Sequence, residues 1–215
     1  MQVAYYEDFA EIKKKIWSML DNAIKDRGSP FRIPVFICGN QNDLDGRIVV
    51  LRKSDQSNSL LQYHSDIRSD KIEKLKANKN AAMLFYDKEE KIQVRLKVEC
   101  IVNHNNEITK ESWSKTQHIS RKCYLVDNGP GTESDIPTSG LKPELDNFDY
   151  TKTNIPISEQ YFVSKSAPLD IEMVVPIFSY PNGPKEFPLT MALNVPTYIN
   201  LYGYGYKNVY ELADL

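Results

Sequence analysis

The stretch from Phe31 to Val102 constrains the fold most, because it reads as a series of short strands joined by tight turns. Its last member, Lys91–Val102, alternates cleanly. Ile92, Val94, Leu96, Val98 and Cys100 form one face, and Gln93, Arg95, Lys97 and Glu99 form the other. Before it, Phe31–Cys38 is apolar and β-prone, and the polar stretch Gly39–Gly46 turns the chain back into Arg47–Lys53. Ser54–Ser59 turns it again into Leu60–His64. A short helix over Ser69–Ala77, with Ile72 and Leu75 inward, ends near Asn78 and leads into the strand Ala81–Tyr86. An acidic turn, Asp87–Glu90, precedes the alternating strand. Strand after strand with one inserted helix predicts a mainly β, α+β fold: a small antiparallel barrel with helices at its margins.

The flanks fit that frame. Residues 8–27 carry apolar side chains at helical spacing (Phe9, Ile12, Ile16, Met19, Leu20, Ala23), with Asp8 and Glu11 at capping-box spacing. Gly28-Ser29-Pro30 ends that helix. Glu107–Gln117 reads as a second helix carrying Trp113, and residues 127–156, rich in Pro, Gly, Ser, Asp and Asn, read as a long surface loop. Strand-like runs follow at Gln160–Ser164 and Ile171–Phe178, then an aromatic tail, Tyr198–Tyr210. At 215 residues the chain has room for one sizeable domain, 1–215, with 31–126 as barrel core and 157–215 as C-terminal strands and tail. A net charge of -2 gives no support for nucleic-acid binding, and no apolar run reaches the length of a membrane span. Three widely spaced cysteines, Cys38, Cys100 and Cys123, fit reduced, mostly buried thiols in the cytoplasm, and the histidines offer no paired metal-ligand spacing.

Three segments carry chemistry. In Ser65–Lys71, Ser65, Asp66 and Ser69 are good N-cap residues, so Arg68 and Lys71 stand near a helix start, where a cation is unfavourable unless an anion joins it. A bound phosphate reverses that sign through charge-assisted hydrogen bonds; a solvated turn neutralised by Asp66 and Asp70 is the plain alternative. Arg47-Ile-Val-Val-Leu-Arg52 is an aliphatic strand core bracketed by arginines. Residues five apart on a regular strand face opposite ways, so both arginines reach one ligand only with a bulge or an end position; one can serve a phosphate and the other a different edge or the surface, and two charged strand ends are the plain alternative. Gln93 and Arg95 share the polar face of their strand, where a glutamine amide can both donate and accept, which suits the ring edge of a flavin; a solvated face is the plain alternative.

Together these segments resemble the FMN-binding split barrels related to pyridoxamine 5'-phosphate oxidase. In that family an Arg-aliphatic-Arg/Lys strand precedes an aromatic-Thr/Ser turn into a Ser-x-Lys helix start, followed by a strand bearing Gln. Trp113, Ser120-Arg-Lys-Cys-Tyr-Leu125, Pro130-Gly131 and Pro137-Thr-Ser-Gly140 extend the likeness toward the cyanobacterial-type branch, so that it covers about residues 31–141. The resemblance assigns Arg47, Ser69 and Lys71 to the FMN phosphate, with Arg68 assisting. It places Val49, Val50, Leu51, Arg52, His64 and Ser65 along the flavin, and Gln93, with Arg95 beside it, at the ring edge.

It also implies a homodimer with FMN at the subunit interface, the partner contributing through Ser120–Gly131. The oxidases close with a Trp and an Arg-x-Pro element; here both tryptophans precede Pro156 and no arginine follows Arg121, which argues against vitamin B6 oxidation. The expectation is therefore an FMN-dependent oxidoreductase for an unidentified small substrate. A flavin-binding stress or sensor protein without turnover is the alternative. A haem-binding split barrel lacks an axial-ligand arrangement.

Overall fold

The computed structural model describes residues 9–90, 92–146, 155–156, 158–174 and 210–211. Helix α1 (Phe9–Lys25) leads into a single 3-10 turn at Pro30–Arg32 and then β1 (Val35–Asn40), β2 (Asp43–Ile48), β3 (Leu51–Asp55) and β4 (Leu60–Asp66). Helix α2 (Lys71–Ala77), β5 (Asn80–Asp87) and β6 (Ile92–His104) follow, then α3 (Glu107–Lys115), α4 (His118–Arg121), α5 (Pro143–Asp146), β7 (Tyr161–Val174) and the two-residue β8 (Tyr210–Glu211). Of the aromatic tail, only Tyr210 falls among the described residues.

All strand pairings are antiparallel, in the order β2-β1-β5-β6-β7-β4-β3, with β8 added beside β7. The two ends of that path, β2 and β3, are consecutive in the chain and linked only by Val49 and Val50. Three Cα–Cα steps of 3.8 Å hold the two edges within about 11 Å, so the sheet must curl into a barrel. The fold is mixed α+β and mainly β, as the strand-turn pattern implies.

Alternation sorts the side chains. Phe36, Met83, Phe85, Val94, Leu96 and Val98 fill the barrel, and Ile12, Ile16, Trp17 and Leu20 of α1 join the same core. The α1 end is tied down by Arg32, whose Nη1 donates to the carbonyls of Ala23 (2.8 Å) and Ile24 (3.1 Å), two acceptors a helix C-terminus leaves open. Gly39 has φ +121° opposite Leu44, and a Cβ there would stand 2.0 Å from the Asp43 carbonyl oxygen, so the β1–β2 hairpin requires glycine.

A second apolar cluster covers the outer side of β4 and β7. Trp113, Tyr124 and Tyr161 stack edge-on, with ring centroids 4.8 Å apart for Trp113–Tyr161 and 5.0 Å for Tyr124–Tyr161. Buried Arg121 lies 5.1 Å over the Trp113 ring and donates to the carbonyls of Trp113 (2.8 Å) and Ile155 (3.3 Å), pinning α4 to α3.

Three expectations need correction. Arg47–Lys53 is not one strand: the chain leaves β2 after Ile48, and the β3–β4 register slips between Leu51 and Lys53, a bulge at Arg52. The runs at Gln160–Ser164 and Ile171–Phe178 are, within the described residues, one strand, Tyr161–Val174, because β7 pairs first with β4 and then with β6 along its length. Cys38 and Cys100 are buried thiols, but Cys123 is exposed.

Candidate functional site

Arg47 sits opposite Phe36 in the β1–β2 ladder, and directly paired residues project from the same face. Its guanidinium therefore reaches inward at the barrel rim, toward the start of α2. Nη1 donates to Ser69 Oγ (2.9 Å) and Nη2 pairs with Asp45, while Nε is buried without a partner.

Lys71 opens α2 and is only 4 % exposed. Its Nζ lies 5.9 Å from the centroid of the Tyr63 ring, and among the described residues it has no hydrogen-bond or ion-pair partner. Burial, and then the neighbouring Arg47 charge, push its pKa down to about 8. Arg47, Ser69 and Lys71 thus gather two cations at the start of α2, with Asp45 paired to Arg47 and buried Asp66 favouring the Lys71 charge.

Arg68, three residues before Lys71, points elsewhere. Its Nε and Nη2 clasp the Asp66 carboxylate (3.0 and 2.7 Å), and Nη1 and Nη2 donate to the carbonyls of Val126 and Asp127. Every guanidinium N–H is engaged. This residue staples the turn before α2 to the loop 58 and 59 residues further on. Gly129 packs against it, its Cβ position 3.0 Å from the Arg68 Cβ.

On the outer side of β3 and β4 lies a cavity of about 890 Å³, lined by Val50, Arg52, Gln62, His64 and Ser112 and by basic residues of α1, α3 and β7. Ser112 Oγ gathers three partners: Gln62 Nε2 (3.0 Å), the Tyr161 hydroxyl (2.9 Å) and His64 Nε2 (2.7 Å). The His64 ring meets Tyr161 edge-on at 5.1 Å. Burial first, and the charge of Arg52 second, lower the His64 pKa to about 3, so the ring is neutral at physiological pH.

Gln93 and Arg95 do not join either group within one subunit. They project from the outer face of β6, paired with Tyr86 and Leu84, whereas Arg47 faces inward two strands beyond β5. Leu51 is core, paired with Tyr63 at the barrel interior, and Val49 is buried in the link between β2 and β3. Ser65 pairs with Phe162 across the β4–β7 ladder. The Gln62–Ser112–Tyr161 contacts are absent from the sequence expectation; the only hint is the Gln62-x-His64 alternation, a polar outward pair on a strand with an apolar inward face.

The chain thus folds as a split antiparallel barrel with a partly neutralised cationic cluster at its rim. Residues 16–104 match the profile described as pyridoxamine 5'-phosphate oxidase, FMN-binding domain. FMN is the cofactor of this domain. The Arg47–Ser69–Lys71 cluster fits its dianionic phosphate, because the buried Lys71 ammonium has no hydrogen-bond or ion-pair partner among the described residues and Arg47 is offset by Asp45 alone.

Among solved structures, the fold is similar to a pyridoxamine 5'-phosphate oxidase-related, FMN binding protein from Nostoc punctiforme PCC 73102, with TM-score 0.58 and 14% identity over 81% of this chain and 87% of that one. It is also similar to PhzG from Burkholderia lata 383, solved in complex with tetrahydrophenazine-1-carboxylic acid, with TM-score 0.60 and 12% identity over 81% and 85% of the two chains. No curated protein matches the chain. Among the described residues, no helix is long and apolar enough to cross a membrane.

Proposed function

We propose that this chain is a single-domain, homodimeric, cytoplasmic FMN-dependent oxidoreductase acting on a small molecule, and that Arg47, Ser69 and Lys71 hold the FMN phosphate. The observation that carries the reading is Lys71. A desolvated ammonium beside a second cation costs several kcal/mol unless an anion joins it, and the carboxylates around it, Asp45 and Asp66, are already paired with Arg47 and Arg68. Arg68 supports the pocket from behind, holding the turn before α2 and the Val126–Asp127 segment in place.

Bound FMN supplies a ring that accepts or delivers hydride. Val49 and Val50 in the β2–β3 link, Leu51 and Arg52 on β3, and His64 and Ser65 on β4 are the residues that the family resemblance gives for the flavin border. Arg52 and His64 then form the wall between ring and cavity, where the substrate has room.

Gln93 and Arg95 reach a flavin only across a subunit boundary. Supporting that arrangement, the outer face of β2, β1 and β5 is apolar: Leu44 is 70% and Ile48 64% exposed, and the row Ile48–Val35–Leu84 runs directly into Arg95. A second copy seated on this face buries those side chains and brings Gln93 and Arg95 to the partner's cofactor.

The test is a visible spectrum of freshly purified protein, mass spectrometry of what denaturation releases, and anaerobic reduction by nicotinamide nucleotides followed by reoxidation. Yellow protein that releases FMN and cycles supports the oxidoreductase. Tightly bound FMN that no donor reduces identifies a non-catalytic flavin sensor, and colourless protein that takes up no FMN refutes both.

A further inference from the structure

Ser112 Oγ carries one proton and two lone pairs, and it has three partners. The Gln62 amide nitrogen can only donate to it, and the Tyr161 hydroxyl donates as well. Both lone pairs are then used, and the serine proton has one place left to go: His64 Nε2, at 2.7 Å. The Gln62 amide nitrogen also stands 3.4 Å from the same ring nitrogen, a favourable approach only if that nitrogen is an acceptor. With Nε2 an acceptor in a neutral ring, the proton sits on Nδ1. Nδ1 has no protein partner among the described residues and is not sealed from solvent, and the ring lines the cavity.

We propose that Ser112 is a positioning residue: with Gln62 and Tyr161 it locks His64 as a neutral ring whose Nδ1–H is offered to an acceptor atom of the molecule bound in the cavity. The three residues come from β4, α3 and β7, so the lock also ties the cavity wall to the Trp113–Tyr124–Tyr161 cluster. Charged and titratable groups around the ring are Arg52 on β3, Glu111 and Lys115 on α3, and Tyr161 and Lys165 on β7. The cations among them disfavour a second proton on the imidazole, so the ring acts as a fixed donor rather than a proton carrier. That the acceptor belongs to the flavin rests on the function proposed above; the tautomer does not.

The experiment is long-range 1H–15N correlation on protein labelled with 15N-histidine, with and without FMN. Only three histidines contribute signals, and His64→Asn assigns the one of interest. The expected result at pH 7 is a proton on Nδ1, with no titration of this ring down to pH 5. In Ser112→Ala the ring should show mixed tautomers while still resisting protonation, because burial and Arg52 remain, and Ser112→Thr, which keeps the hydroxyl, should restore the wild-type tautomer.

FMN affinity should fall three- to tenfold in Ser112→Ala, with the folded circular dichroism spectrum retained. A proton on Nε2 in the wild type, or a Ser112→Ala ring that behaves like wild type, overturns the proposal. An unchanged FMN affinity in a Ser112→Ala protein whose tautomer has shifted overturns the flavin-directed half. If wild-type protein binds no FMN, the cofactor reading fails while the tautomer measurement in the free protein still decides the lock.

Discussion

Replacing Lys71 with methionine separates the cost of a buried cation from its use. The side chain keeps its length and loses its charge. In the unliganded protein the Lys71 pKa falls from 10.5 to about 8, which at about 1.4 kcal/mol per pH unit corresponds to roughly 3 kcal/mol held against folding. Below pH 8 both folded and unfolded chains carry the proton and the whole penalty applies. Between about 8 and 10.5 the folded state has released its proton while the unfolded state keeps it, so stability rises with pH across that window.

Against this stands the attraction to the Tyr63 ring, about 0.5–2 kcal/mol. Lys71→Met is therefore expected to stabilise the apoprotein at pH 7 by roughly 1–3 kcal/mol and to abolish the rise above pH 8.

The same substitution should weaken FMN by about 1.5–3 kcal/mol, the range for hydrogen bonds to charged groups. The phosphate raises the Lys71 pKa in the complex, so above pH 8 binding takes up a proton and wild-type affinity declines with pH. The variant should show no such decline. Urea unfolding at pH 7 and 9.5 reads the first effect, and quenching of flavin fluorescence over the same range reads the second. Unchanged FMN affinity in Lys71→Met, or a wild-type affinity flat from pH 7 to 9.5, would refute the reasoning.

Other consequences are independent of that pair. Asp66→Asn removes the carboxylate that Arg68 clasps and should cost about 1.5–3 kcal/mol in urea unfolding, with faster proteolysis in the 126–142 loop. Because the folded pKa of His64 is lowered from 6.5 to about 3, the unfolded chain binds the extra proton first as pH drops. Stability should therefore fall between pH 6.5 and 3, and His64→Phe should flatten that acid limb in thermal unfolding. Gly39→Ala forces a side chain into the left-handed region against the Asp43 carbonyl and should cost at least about 1–3 kcal/mol, visible as a lower urea midpoint.

What the sequence reveals, and what it hides, follows the range of the interactions. The apolar period of α1 and the strict alternation of β6 report burial within a few residues, and both elements form where the pattern places them. Arg47 and Lys71 stand out in the sequence because each is a cation beside aliphatic residues, Ile48–Leu51 and Ile72, at the end of an element. Arg68 misleads: from local spacing it looks like a third phosphate ligand, yet its acceptors lie on a loop 58 and 59 residues away, a separation no local pattern encodes. The interruption at Val49–Val50 is hidden for a related reason. Four aliphatic residues in a row read as one strand, and only closure of the barrel forces the chain to leave β2 for the opposite edge of the sheet. The serine at the centre of the His64 lock carries no signal at all until α3 and β7 are packed over β4.

The most direct measurement compares FMN with riboflavin, which is the same ring without the phosphate, by fluorescence titration on wild type, Arg47→Ala and Lys71→Met. The expected result is a wild-type preference for FMN of at least about tenfold, the equivalent of 1.4 kcal/mol, that shrinks in each variant while riboflavin affinity barely moves. Equal affinities for the two ligands in the wild type, or a preference that survives both substitutions, would contradict a phosphate seated between Arg47 and Lys71.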